Sequence, residues 1–150
     1  MEQVHSVKLV EISQASEYRQ VRSEVIISGE PTGILVDGQV LEAAIKTDAD
    51  EYLLFTTDDV MFEEFLTMTL ISVRKGMLEW LYLGNEYSSG TFEKLTVKEN
   101  SIQFSFTGDT GWTINILANP QLRIPFLSEP RGVKRSPGLK TRIIISNTPA

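Results

Sequence analysis

The residues able to do chemistry in this chain are few, and most are acidic. His5 is the only histidine among 150 residues, and cysteine is absent. Thiolate nucleophiles, disulfides, thiolate zinc sites and iron–sulfur clusters are thereby excluded, as is any mechanism that needs two or three imidazoles. His5 itself stands in an alternating N-terminal segment and reads as a surface or packed histidine. Carboxylates remain, in the neighbouring pairs Asp58-Asp59 and Glu63-Glu64. Glycoside hydrolysis needs two carboxyl groups about 5 to 9.5 Å apart across a sugar. Sequence neighbours point to opposite faces of a strand, or lie about 100° apart around a helix, so they do not supply that geometry by themselves. Asp48-Ala49-Asp50-Glu51 opens like a calcium loop, but Leu53 occupies the sixth position, where the loop requires glycine. No phosphate-cradling glycine loop, dinucleotide glycine triad or nucleophile elbow is present. The expectation is a protein without catalytic residues, metal or cofactor.

Charge is the sharper signal. The chain holds 14 Lys plus Arg against 20 Asp plus Glu, a net charge of −6. Residues 1–118 carry 19 acids and 8 bases, whereas residues 119–150 carry 1 acid and 6 bases. Within residues 47–73 stand Asp48, Asp50, Glu51, Asp58, Asp59, Glu63 and Glu64, with no Lys or Arg. One reading is a solvated face whose acids keep an edge strand soluble. The other is a patch for a basic partner, because focused charge raises association rates by about 10 to 10³-fold. Such a patch repels nucleic acid, whose binding depends on Lys and Arg neutralising phosphates. The basic counterpart is the Gly- and Pro-containing stretch with Arg131, Lys134 and Arg135, followed by Lys140 and Arg142. It reads as a loop. An arginine grip on phosphate is conceivable there, but no interleaved aromatic or helix N-terminus supports it. The simpler alternatives are a solvated loop, or one lying against the acidic part of the same chain.

The elements that must position these groups follow period two, in segments of five to eight residues rich in Val, Ile, Thr, Phe, Tyr and Trp. Asp37-Gly38 between two apolar runs suits a type I′ hairpin turn. Residues 65–72, 77–83, 91–98, 101–107 and 112–117 read as an antiparallel meander, with Phe104, Phe106, Trp112, Ile114 and Ile116 facing the core. Residues 4–12, 24–28, 52–56 and 139–146 read as further strands. Residues 57–64, with Asp at a plausible N-cap and acids in the first turn, suggest one short helical turn; residues 14–22 are ambiguous. The expectation is a single all-β domain over residues 1–150, an antiparallel sandwich or partly open barrel of about nine to eleven strands. A chain of this length buries roughly 68 to 70% of its unfolded surface and folds without staples. No stretch approaches the roughly 18 apolar residues of a membrane span, and the first residues lack a basic and apolar leader, so a soluble cytoplasmic protein with no membrane partner is expected.

Two aromatics join the acids as partner-binding candidates. Trp80 and Tyr82 share one face of their strand, with Glu79 and Leu81 on the other. If exposed, they suit an interface hot spot, since both combine large contact area with a polar tip.

Four stretches, residues 51–60 (EYLLFTTDDV), 108–112 (GDTGW), 123–126 (RIPF) and the 130–138 loop, resemble bacterial immunity proteins encoded beside polymorphic toxins, as in contact-dependent growth inhibition. The resemblance spans roughly residues 51–145. It implies a cytoplasmic protein that binds a cognate toxin stoichiometrically and occludes its active site or substrate-binding surface. An acidic chain suits a basic nuclease toxin, with residues 48–64 as the place of contact. The alternative from another class is a small-molecule or lipid carrier with a β-barrel cavity.

Overall fold

A computed structural model describes residues 1–13, 21–58, 65–84, 90–106, 111–123, 129–130 and 132–148, of which Ser13 and Thr148 are described in their backbone alone. The strands are β1 (Glu2–Val4), β2 (Val7–Ser13), β3 (Arg22–Ile27), β4 (Glu30–Asp37), β5 (Val40–Asp48), β6 (Glu51–Thr57), β7 (Leu66–Ser72), β8 (Gly76–Leu83), β9 (Glu93–Val97), β10 (Ile102–Ser105), β11 (Gly111–Leu122), β12 (Val133–Arg135) and β13 (Lys140–Thr148). They form three antiparallel sheets: six strands in the order β1-β5-β6-β7-β8-β12, four in the order β13-β11-β10-β9, and three in the order β2-β3-β4. The chain is all-β, with no helix among the described residues.

The six-stranded sheet is the middle layer. On one face Ile45, Leu53, Phe55, Met68, Leu70 and Leu81 pack against residues of the four-stranded sheet, among them Ile102, Phe104, Trp112, Ile114 and Ile143. On the other, Ala44, Tyr52, Leu54 and Ile71 pack against Val7, Val25, Ile34 and Val36 of the three-stranded sheet. Every residue of β7, and all of β6 after Glu51, is buried. That explains why residues 52–55, Tyr-Leu-Leu-Phe, form a continuous apolar run, since a strand covered on both faces has no solvent side to mark with polar residues.

Several expectations change. None of the sheets closes into a barrel, and the described residues form 13 strands rather than nine to eleven. The expected strand 4–12 is two strands in two sheets, β1 pairing with β5 and β2 with β3. The expected loop 130–138 contains β12, which pairs with β8. The meander is divided: β7 and β8 belong to the middle sheet, β9 to β11 to the four-stranded one. In place of a helical turn from residue 57, Thr57 ends β6, paired with both Val40 and Leu66; residues 59–64 lie outside the described residues, as does most of 14–22.

Asp37-Gly38 is not a hairpin turn, because β4 and β5 belong to different sheets. Only Gly38 has positive φ (+123°), whereas a type I′ turn needs it at both central residues. The dipeptide is a corner tied to both layers. The Gly38 N–H donates to Val21 O (2.8 Å) and the Gln39 N–H to Thr57 O (3.0 Å). Ser23 Oγ donates to Gly38 O and Thr56 Oγ1 to Asp37 O, each at 2.7 Å. A Cβ at Gly38 would collide with the Thr56 side chain at Oγ1 and Cβ. The turn with two positive φ values is Ser28-Gly29 (51° and 81°), which joins β3 to β4.

Two substitutions test this account by urea unfolding. Phe55→Ala, at a fully buried position whose ring lies 5.0 Å from that of Phe92 and 5.3 Å from that of Phe104, is expected to cost about 3 to 5 kcal/mol. Gly38→Ala is expected to destabilise by at least about 1 kcal/mol, through strain and the clash with Thr56.

Candidate functional site

β6 carries an acid at each end, Glu51 within the strand and Asp58 immediately after it. At about 3.3 Å per residue they stand roughly 23 Å apart. The described part of the acidic run, residues 48–58, is therefore divided between two ends of the middle sheet.

At the Glu51 end the acids face bases of the same chain. Asp48 Oδ1 accepts from the Ala49 N–H within its own hairpin (2.8 Å). Asp50 Oδ2 accepts from Arg74 Nε at 3.1 Å, an exposed pair of small energetic weight. Glu51 Oε1 accepts from Arg142 Nη1 (2.7 Å), and Arg142 Nε donates to Leu117 O (2.8 Å). The hydrogen bond that it donates to Glu51 is the main reason that Arg142 holds its proton even more firmly than an ordinary arginine. Deeper in, Glu79 is only 8% exposed. Its Oε2 accepts from Arg135 Nη1 (2.9 Å) and Thr141 Oγ1, and its Oε1 from the Arg142 N–H (2.8 Å). The Arg135 side chain, 6% exposed, also grips Glu129 through Nε (2.6 Å) and Nη2 (3.2 Å) and donates to Ile143 O (2.8 Å). Arg135 thus ties β12 and β8 of the middle layer to β13 of the four-stranded sheet. A cleft of about 430 Å³ opens beside this network, lined by Glu51, Glu79, Arg142, Lys75 and Lys140 among others. Its buried charges pair with one another, save that Glu51 Oε2 is buried without a partner among the described residues, and they hold two sheets together.

The Asp58 end differs. Asp58 is 9% exposed, and its Oδ1 has no hydrogen-bond partner among the described residues. Burial first, and the neighbouring Asp37 carboxylate second, push it above the usual carboxylate range. Asp37 Oδ2 accepts from the Tyr82 hydroxyl at 2.5 Å, and Arg22 Nε lies 3.5 Å from Asp37 Oδ1. Burial and that hydrogen bond raise the Tyr82 phenol, so it remains a donor across the physiological range. Tyr82 stacks on Trp80, ring centroids 4.5 Å apart and planes tilted by 33°. Trp80 is fixed from the strand edge: its N–H donates to Ser136 Oγ (3.3 Å) and its carbonyl accepts the Ser136 N–H (3.0 Å). Both rings are half-buried. A groove of about 160 Å³ beside Tyr82 is lined by Phe65, Gly84, Gly132 and Lys134.

Of the residues singled out from sequence, Asp58, Trp80 and Tyr82 come together. Asp48, Asp50 and Glu51 do not join them, and the last two face their own chain's arginines instead of a free surface. Asp59, Glu63 and Glu64 lie outside the described residues. Asp37 was missed, because its place in an Asp-Gly pair marked it as a turn residue. The basic segment turns inward through Arg135 and Arg142, the alternative in which it lies against the chain's own acids. Among the described residues no three His, Asp or Glu are grouped to hold a metal. Set against family models, curated proteins and solved structures, the chain matches none of them.

The two ends predict opposite responses to mutation. Arg135→Met leaves Glu79 buried without its cation and is expected to cost about 3 to 5 kcal/mol, much of it recovered by adding Glu79→Met, as a double-mutant cycle in urea would measure. Asp58→Asn is expected to stabilise. A carboxyl whose folded pKa is raised binds its proton more tightly in the native state, so the stability withheld by Asp58 grows as pH rises from the unfolded value towards the folded one and is constant above it. The urea midpoint of the variant should exceed wild type at pH 7, and the gain should vanish below the unfolded value near 3.8, where both states carry the proton.

Proposed function

We propose that this chain is a protein-binding domain of the toxin-neutralising, immunity kind, masking the active site or substrate-binding surface of a cognate toxin by stoichiometric contact in the cytoplasm. The observation that carries the reading is the Asp58 end: a half-exposed Trp80–Tyr82 stack beside a buried carboxylate oxygen that lacks a donor. Interface hot spots are enriched in Trp and Tyr held in a fixed geometry before the partner arrives. Here the Tyr82–Asp37 hydrogen bond and the Ser136 contacts do the holding. A basic toxin domain, such as a nuclease, supplies Lys and Arg donors for the acids. The resemblance of residues 51–60, 108–112, 123–126 and 130–138 to immunity proteins points the same way. A carrier in the β-barrel sense would want an apolar cavity of several hundred Å³. Both faces of the middle sheet are instead filled with side chains, and the 430 Å³ cleft is lined with charge, which favours contact at the surface over carriage within.

The test is co-expression with the C-terminal domain of a secreted protein encoded directly upstream. An equimolar complex and rescue of growth are expected. Trp80→Ala and Tyr82→Ala should each weaken the complex by about 2 kcal/mol or more. No complex, or one indifferent to both substitutions, refutes the reading.

A further inference from the structure

We infer that β4 is an acceptor edge: an extended segment of the protein partner pairs with the backbone of residues 35–37 and sets a Lys or Arg side chain against Asp58. This rests on the protein-binding reading above and states how the contact is made.

The two outer sheets cover the middle one unequally, four strands on one face and three on the other. The three-stranded sheet lies with β2 near β5, and with β4 near β7 and β8. β4 is the last strand of that sheet and pairs only with β3 among the described strands. Beyond it the face of the middle sheet continues, and there Trp80, Tyr82 and Lys134 stand half-buried or exposed on β8 and β12. A strand added about 4.8 Å outside β4 would lie over that ledge, since stacked sheets pack about 10 Å apart and inward side chains reach the layer below.

Features of β4 limit where such a strand can sit. Its first half is unsuited to pairing: Pro31 lacks an N–H, and the register with β3 shifts between Glu24 and Ile26, opposite Gly33 at φ +74°. Ile34 falls within that shift and its N–H donates to Thr32 Oγ1 (3.1 Å), whereas Leu35–Asp37 is in regular register with β3 and ends at the Tyr82-bonded carboxylate. The character of the occupant follows from charge. Asp58 is buried to nine-tenths with Oδ1 unpartnered, Asp37 is its nearest charged influence, and both stand at the end of the open edge. Two carboxylates with one missing donor select a cationic side chain, and the stacked rings beside them offer a surface for its aliphatic stem.

The experiment pans a displayed library of random peptides against the intact chain, then measures amide hydrogen exchange with the best binder and, separately, with the upstream-encoded toxin domain. Expected are sequences alternating apolar residues with a Lys or Arg, new protection at alternate amides within residues 35–37, and at least a tenfold loss of affinity in Asp58→Asn, a variant expected to fold at least as stably as wild type. Enrichment without a basic residue, unchanged exchange at 35–37, or equal binding by Asp58→Asn overturns the proposal. Concentration-dependent dimerisation that protects the same amides overturns it in favour of a second copy on the edge. The two readings fail separately: if the toxin domain binds with 35–37 unprotected, the edge proposal falls and the immunity reading stands; if basic peptides protect 35–37 but the toxin domain does not bind, the reverse holds.

Discussion

The fold depends on β6 and β7 being covered on both faces. A strand in that position has no solvent side, and burying an unpaired charge there would cost far more than the few kcal/mol that separate folded from unfolded chains. Polar residues are nevertheless present in these strands, and they are short: Thr56, Thr57, Thr67, Thr69 and Ser72 are all buried. Hydroxyls can meet a nearby acceptor, as Thr56 does at Asp37 O and Thr57 at Glu42 Oε1. Carboxylates are displaced to the strand ends. Glu51 and Asp58 mark where the doubly covered layer begins and stops, so the middle sheet decides where charge concentrates.

What happens to that charge differs from end to end, because the C-terminal segment brings its buried arginines to only one of them. β12 and β13 bring Arg135 and Arg142 to Glu79 and Glu51, and the pairs close at 2.9 and 2.7 Å. The excess of bases in residues 119–150 is thus partly consumed inside the molecule. Nothing comparable meets Asp58 among the described residues, since Arg22 lies against Asp37 and Tyr82 donates to that same carboxylate. The net charge of −6 is therefore a poor guide to the surface. Its internal partition leaves one end tied to buried arginines, with Glu51 Oε2 as its one carboxylate oxygen buried without a donor, and the other end with a buried carboxylate that no cation of the described residues meets.

Individual strands were legible in the sequence because period-two alternation is local; 77–83 and 139–146 correspond closely to β8 and β13. Sheet membership was not, because it is decided by contacts between distant residues. Nothing near Asp37-Gly38 says that Gly38 will bond to Val21 while Gln39 bonds to Thr57, so a corner looked like a hairpin. β12 hid within a Gly- and Pro-rich loop because three residues are too few to set a period. The candidate site was legible by residue type at Asp58, Trp80 and Tyr82. Glu51 was misread as free because its arginine stands 91 residues away. A charge run in sequence shows how many acids there are, but their availability depends on which bases the fold returns to them.

The unequal covering of the middle sheet gives these observations a common cause. Four strands on one face complete a layer, and the ion-pair network of Glu79 closes that layer's margin. Three strands on the other leave β8 and β12 projecting past β4, so aromatic rings, an unpaired strand edge and a desolvated carboxylate meet along one line. Separately each is a liability: an open edge invites aggregation, half-exposed rings lose hydration, and a carboxylate without a donor destabilises the folded state. The proposed edge pairing would answer all three at once, because an added strand bearing a cation would pair the edge, cover the rings and supply the donor, and a site already held by the Tyr82–Asp37 hydrogen bond and the Ser136 contacts would leave little reorganisation to oppose binding.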